Sequence, residues 1–169
     1  SMASKEETKA TQAELDRWRT EGFDAEITCS DDEFATGTFR GIHELTFDEP
    51  EYVDIGEDEH PCPHDYLVAA IGGCQVEILK QCLEKRRIEE YDIDLSIRTE
   101  KGREAVDDEI PETADIRITD TYSEVAVSVP DEHADRAQRC VEVFEENCPI
   151  SQSVQAGVDL HVDASLDNS

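Results

Sequence analysis

Basic residues are scarce in this chain. Its 169 residues hold 15 Lys and Arg against 43 Asp and Glu, for a formal charge of -28, and only five of the cations are lysines. That balance repels phosphate backbones and anionic headgroups, and no basic stripe interleaved with aromatics offsets it locally. Nucleic acid and membrane surfaces are therefore excluded as partners. Long apolar runs are also missing: the uncharged stretch 66–76 is far too short to span a bilayer. No basic-then-apolar leader opens the chain, so a cytoplasmic location is expected. Ser1 and Met2 read as an expression remnant and carry no weight in the fold.

The carboxylates are spread over every segment rather than gathered in a tail, which describes a solvated surface. Such dispersed charge is tolerable where molar salt shrinks the screening length to about 3 Å. A halophilic host is the simplest reading. The length suits one domain, with residues 1–22 as an N-terminal helical extension and 23–169 as the folded body.

Residues 5–19 are rich in helix formers but offer only Leu15 and Trp18 as large apolar groups, so this helix must dock onto something. From Phe23 the period changes to two. "FDAEITCS", "EFATGTFR" and "IHELTFD" predict three short antiparallel strands, followed by a proline-punctuated loop. Pro63 stands at a first helical turn, and Leu67, Ala70, Ile71, Cys74 and Ile78 follow at helical spacing up to the basic run 85–87, predicting a long central helix. Its apolar circumference is too wide for a surface helix. Strands are expected at 91–99, 114–120 and 124–129, with a turn at "TYS". A helix over about 131–146, a further turn at "SQSVQ" and a last strand at 158–164 complete the pattern. Strands grouped around helices without βαβ alternation indicate an α+β sandwich.

Six cysteines need explaining, because reduced compartments rarely use disulfides as scaffolding. Cys74 lies on the central helix directly after Gly72 and Gly73, each of which costs about 1 kcal/mol of helix stability. Close approach of a backbone or a reactant would offset that cost, although a buried cysteine is also ordinary apolar filler. Cys148 precedes "PIS" and could cap a helix N-terminus, where amide groups favour a thiolate. Cys29, Cys82 and Cys140 read as structural, without a chemical role. Between Thr20 and Leu79 the only cation is Arg40, which is either a partner for a thiolate or a surface ion-pair residue. His60, Cys62 and His64 would share one side of an extended segment and so offer a zinc alternative. His43, His133 and His161 lack the context of a cysteine hydrolase.

Together, "DEP" at 48–50, "PHDYLVAAIGGC" at 63–74 and "CPIS" at 148–151 resemble the OsmC/Ohr family of osmotically inducible and organic-hydroperoxide-resistance proteins. The resemblance implies an intertwined homodimer whose two central helices are wrapped by sheets from both subunits. It also implies a thiol peroxidase with Cys74 as the peroxidatic and Cys148 as the resolving cysteine, and an external dithiol reductant in place of any bound cofactor or metal. Arg40 is the candidate for the family's thiolate-holding arginine, with Arg98 or Arg103 as substitutes. Gly73 and Ile71 would face the substrate. One departure stands out. Where the peroxidase members carry a glutamate after the helix-opening proline, this chain has His64, followed by Asp65. A histidine cannot form the same bidentate pair with guanidinium, so either Asp65 or Glu49 takes that place, or the arginine is held differently and the peroxidase rate suffers. The alternative is a non-enzymatic module that binds a small apolar ligand or senses redox state.

Overall fold

The computed structural model describes residues 10–102 and 117–168. Chain contacts divide it into two compact units with the boundary between Tyr66 and Leu67.

The first unit opens with helix α1 (Gln12–Glu21). Thr11 starts it: its hydroxyl accepts the Glu14 amide at 3.2 Å, as an N-cap should. The part of the predicted helix at 5–9 falls outside the described residues. Trp18 is the buried residue of α1. The Arg40 guanidinium lies 4.8 Å from its ring and 5.4 Å from that of Phe23. The docking that so polar a helix requires is thus made by an indole and a cation.

Three strands follow, β1 (Ala25–Thr28), β2 (Ala35–Phe39) and β3 (His43–Phe47), paired antiparallel in that order. Arg40 and Gly41 both have positive φ, and the Ile42 amide returns to Phe39 O. This is the mirror-image turn whose twist suits a hairpin. Cys29, expected in a strand, lies one residue beyond β1 and is exposed.

The loop 48–62 is organised by Asp48, which is buried although its neighbours are acidic. Its Oδ1 accepts the amides of Glu49 (2.7 Å) and Glu57 (3.2 Å), and its Oδ2 that of Glu59 (2.8 Å). Burial pushes this carboxyl up, but the amides of Glu59, Glu49, Glu57 and His60 outweigh that and hold it below its ordinary value. Gly56 closes the knot, because a Cβ there would run into the carbonyls of Pro50 and Glu49.

Helix α2 (Pro63–Lys85) is the predicted central helix. Asp65 caps its start by accepting the Cys62 amide at 3.0 Å. At the other end Arg87 adopts positive φ, with the amides of Ile88 and Arg87 bonded to the carbonyls of Leu83 and Glu84. This is the Schellman arrangement, with arginine where glycine is usual. Leu83 and Ile88, which the motif brings together, are both fully buried.

In the second unit β4 (Asp92–Gly102) and β5 (Arg117–Ser128) form an antiparallel ribbon. The structure corrects one expectation here: no turn interrupts "TYS", and β5 runs straight through it. Thr121, Tyr122 and Ser123 pair with Thr99, Arg98 and Ile97, so ladder pairing overrides a weak local turn signal. The part of the predicted strand at 114–116 falls outside the described residues. A short 3₁₀ turn (Asp131–His133) leads into α3 (Ala134–Val143), a second 3₁₀ turn (Glu145–Asn147) and α4 (Pro149–Ala156). The helix expected over 131–146 is therefore three pieces. The core joins Leu79, Leu83 and Ile88 to Ala137 and Cys140, with Ile93, Val125 and Val127 of the ribbon packed against it.

Two further expectations are corrected. Cys82 and Cys140 are not separate fillers: they are bonded to each other as a disulfide, with Cα atoms 5.8 Å apart. Closing a chain separation of 58 residues restricts the unfolded chain by about 4 kcal/mol in the loop-entropy treatment. The segment 158–164 forms no strand. Its alternating Val158, Leu160 and Val162 are 75%, 85% and 79% exposed, because a strand needs a ladder partner and the described residues supply none. Among the described residues no helix is long and apolar enough to cross a membrane.

Candidate active site

The two cysteines singled out for chemistry are brought together within the second unit. Cys74, half-buried on α2, and Cys148 interact through their thiols, and both are free of disulfide bonding. Cys148 is fully buried. Pro149 forces it into an extended conformation, φ -89° and ψ 106°, which makes it the N-cap of α4. From there its sulfur accepts the Ser151 hydroxyl at 3.1 Å and the Ser151 amide at 3.5 Å. The preceding turn is pinned to the same helix by Gln152 Nε2 to Glu145 O at 3.1 Å and Gln155 Nε2 to Glu145 Oε1 at 2.8 Å.

The electrostatics of the two sulfurs diverge. Burial pushes the Cys148 thiol up, but the Ser151 hydroxyl, the Cys74 thiol and the amides of Ser151 and Ile150 more than reverse this and leave it below its ordinary value. Burial also pushes Cys74 up. The neighbouring Cys148 sulfur adds to that, and the Ile150 amide only partly opposes it. Of the two, Cys148 is therefore the more readily ionised and Cys74 the more firmly protonated.

Two residues of this arrangement escaped the sequence reading. Gln75 is buried on α2, and its Nε2 donates to Ser151 Oγ at 3.1 Å, so a chain runs from amide to hydroxyl to sulfur. Among the described residues its Oε1 is buried without a partner. Gln75, Ser151 and Ile71 line a cavity of about 470 Å³ that Tyr122 and Phe144 also line. The signal was present: a glutamine on the buried face of an apolar helix must find hydrogen bonds, and Ser151 sits three residues after the cap.

The two glycines before Cys74 do different jobs. A Cβ on Gly72 would stand 2.9 Å from Leu95 Cδ2, so this glycine admits β4 against the helix. Gly73 is exposed, and a Cβ there would meet nothing within 4 Å. The remaining sequence candidates have the following places. Arg40 lies in the first unit, over Trp18 and Phe23. Arg98 stacks on Tyr122 at 4.2 Å and pairs with Glu100 at 3.1 Å, while Arg103 falls outside the described residues. Asp65 is held by the Cys62 amide and thiol and, with the added field of His64, lies below the ordinary carboxylate value. Glu49 is half-buried, with its backbone bonded into the Asp48 knot. For the zinc alternative, His60 instead packs edge-on against Phe34 at 4.8 Å. Among the described residues no group of three or more His, Cys, Asp or Glu is arranged to hold a metal ion.

The family of OsmC-like proteins matches residues 56–163, which hold both cysteines. The chain belongs to the OsmC family. No curated protein matches it by sequence. Among solved structures it is similar to an OsmC-like protein from Mycoplasma pneumoniae, with a TM-score of 0.60 at 11% identity over 80% of this chain and 89% of that one. It is also similar to an organic hydroperoxide resistance protein OsmC from Legionella pneumophila, TM-score 0.53 at 15% identity over 81% and 91%. A third likeness is to the organic hydroperoxide resistance protein of Bacillus subtilis, TM-score 0.51 at 16% identity over 81% and 93%. These likenesses establish the OsmC fold, an α+β arrangement of antiparallel sheets and helices.

Proposed function

We propose that the protein is a thiol-dependent peroxidase that reduces organic or hydrogen peroxides with Cys74 and Cys148. The observation that carries this reading is the adjacency of two free, interacting thiols 74 positions apart in sequence, inside the segment that matches the OsmC family.

Charge and access point to different attacking atoms. Cys148 is the more readily ionised but is sealed, whereas Cys74 ionises less readily but is reachable. Access decides, because moving a proton between neighbouring sulfurs requires less rearrangement than exposing a buried one. Cys148 thus acts first as the base that takes the Cys74 proton. The Cys74 thiolate then attacks the outer peroxide oxygen, the O–O bond breaks, and the alkoxide leaves as an alcohol after protonation. The sulfenic acid on Cys74 condenses with Cys148 to a disulfide and water. An external dithiol reduces that disulfide and is itself oxidised.

Arg40 is the proposed cation for the departing oxygen, with Asp65 or Glu49 in the role of its acidic partner and His64 beside them. Gly73 and Ile71 would border the substrate. The unpartnered strand pattern at 158–164 and the exposed Leu67, Ala69 and Ala70 of α2 support assembly as a homodimer in which a second copy covers these faces.

One equivalent of an alkyl hydroperoxide added to the reduced protein is expected to yield one alcohol and a Cys74–Cys148 disulfide by peptide mapping. In Cys148→Ser, a sulfenic-acid trap should label Cys74. Persistence of the peroxide with both thiols intact would overturn the proposal. The ligand-binding alternative, favoured by the engagement of Arg40 with Trp18 and Phe23, would then stand.

A further inference from the structure

The Cys82–Cys140 disulfide lies outside the chemistry above, and its two sulfurs have unequal surroundings. Cys140 is fully buried in the core, whereas Cys82 is half-buried and lines a cleft of about 520 Å³ between α2 and the residues 143–147 that end α3 and follow it. That volume is in the range of small-molecule sites. An inert staple would have both ends sealed, but here one sulfur faces a space that a small nucleophile can enter.

The cleft is also where this acidic chain is locally basic. Lys85 and Arg86 line it beside Cys82, Phe144 and Asn147. Outside the cleft, Arg136 holds the Arg86 backbone by donating to its carbonyl at 2.6 Å. Neither Lys85 nor Arg86 makes an ion pair among the described residues. At long range the -28 charge repels an anion. At about 1 M salt that field is screened within about 3 Å, while groups in contact still act. A small carboxylate-bearing thiol fits such a cleft, with its sulfur at Cys82 and its carboxylate on the cations.

The geometry points to a second redox site, in which a small anionic thiol opens Cys82–Cys140 by attack on Cys82. The incoming thiolate bonds to Cys82 Sγ, the Cys82–Cys140 bond breaks, and the electron pair leaves on Cys140, which takes up the proton that the attacking thiol released. A second thiol then attacks the mixed disulfide. Two thiols become one small disulfide, and the two cysteines become thiols. The disulfide form of the same small thiol drives the reverse reaction, so the pair follows the surrounding thiol–disulfide balance. No peroxide takes part, so this site stands or falls separately from the Cys74–Cys148 chemistry.

The test uses the whole protein, prepared without reductant, with its free thiols alkylated and the buffer at about 1 M salt. It is exposed to 3-mercaptopropionate (anionic), 2-mercaptoethanol (neutral) or cysteamine (cationic). Each rate of opening is divided by the rate of the same thiol with a small linear disulfide, and the adduct is located by mass spectrometry after an acid quench. The expected result is a normalised rate about tenfold higher for the anionic than for the cationic thiol, with the mixed disulfide on Cys82. In Lys85→Gln with Arg86→Gln the preference should fall to near unity. If that variant does not fold, the charge series on the unsubstituted protein decides alone. Equal or reversed rates, an adduct on Cys140, opening only in denaturant, or two free thiols in the protein as prepared would each overturn the proposal.

Discussion

The Ser151 hydroxyl donates to Cys148 Sγ across 3.1 Å while its oxygen accepts from Gln75, so one buried serine sets both the charge and the position of the sulfur. In Ser151→Ala the hydroxyl is lost and Gln75 Nε2 is left without its partner. The thiolate absorbance near 240 nm should then appear at higher pH than in the unsubstituted protein. Stability should fall by about 1–3 kcal/mol, the penalty of an unsatisfied buried donor, measured by urea unfolding. A titration that does not move would remove Ser151 from the site.

Gly72 and Gly73 are adjacent but should respond oppositely to alanine. Gly73→Ala adds a methyl in open space and gains helix propensity, so stability should rise by about 1 kcal/mol. In Gly72→Ala the same gain is opposed by overpacking against Leu95, about 1–3 kcal/mol, and the net change should be unfavourable. Thermal melts of the two variants at low protein concentration, where a second copy does not cover Gly73, decide the point. Equal shifts would mean that β4 does not approach the helix as described.

Arg40→Ala should loosen α1 from its sheet, because the guanidinium lies over both Trp18 and Phe23. The expected cost is about 1–2 kcal/mol. Trp18 is the only tryptophan, so its emission should shift to longer wavelength as water reaches the indole. Arg40→Lys keeps the charge but not the planar stack and should restore only part of the effect. Unchanged emission in Arg40→Ala would mean that the helix docks without the cation.

The Asp48 knot carries a pH dependence of known sign. Its carboxyl lies below the ordinary 3.8 in the folded chain, so its contribution is complete above 3.8 and is lost as pH falls through the lower folded value. Amide exchange of residues 49–60, corrected for intrinsic rates, should therefore accelerate on acidification below 3.8. Asp48→Asn should show the same loosening at neutral pH, because its amide nitrogen cannot accept a hydrogen bond. Protection that is flat through this range would place the order of the loop elsewhere.

Much of this was legible in the linear pattern. The three-strand meander followed from strict alternation broken at turn residues, and α2 from Pro63 at one end and a basic run at the other. The N-cap role of Cys148 followed from the proline after it. Local chemistry fixes such features. What was not legible depended on partners distant in sequence. Nothing near Cys82 or Cys140 reveals their bond, nothing near Asp48 shows that amides nine and eleven residues on will surround it, and Gln75 gains its role only when Ser151 arrives. The segment 158–164 failed in the opposite way: its alternation is clear, but alternation marks only readiness to join a sheet.

The two cysteine pairs have a shared arithmetic. Cys82 follows Cys74 by eight positions, and Cys140 precedes Cys148 by eight, so both contacts join the same two segments like antiparallel rungs. Deleting one residue between 74 and 82 would turn the helix by about 100° and shorten it by about 1.5 Å, leaving one rung intact only by misaligning the other. A substitution in that interval leaves this spacing untouched, whatever it does to the contacts of Gln75 or Leu79, whereas an insertion or deletion there must sacrifice either the reactive contact or the disulfide.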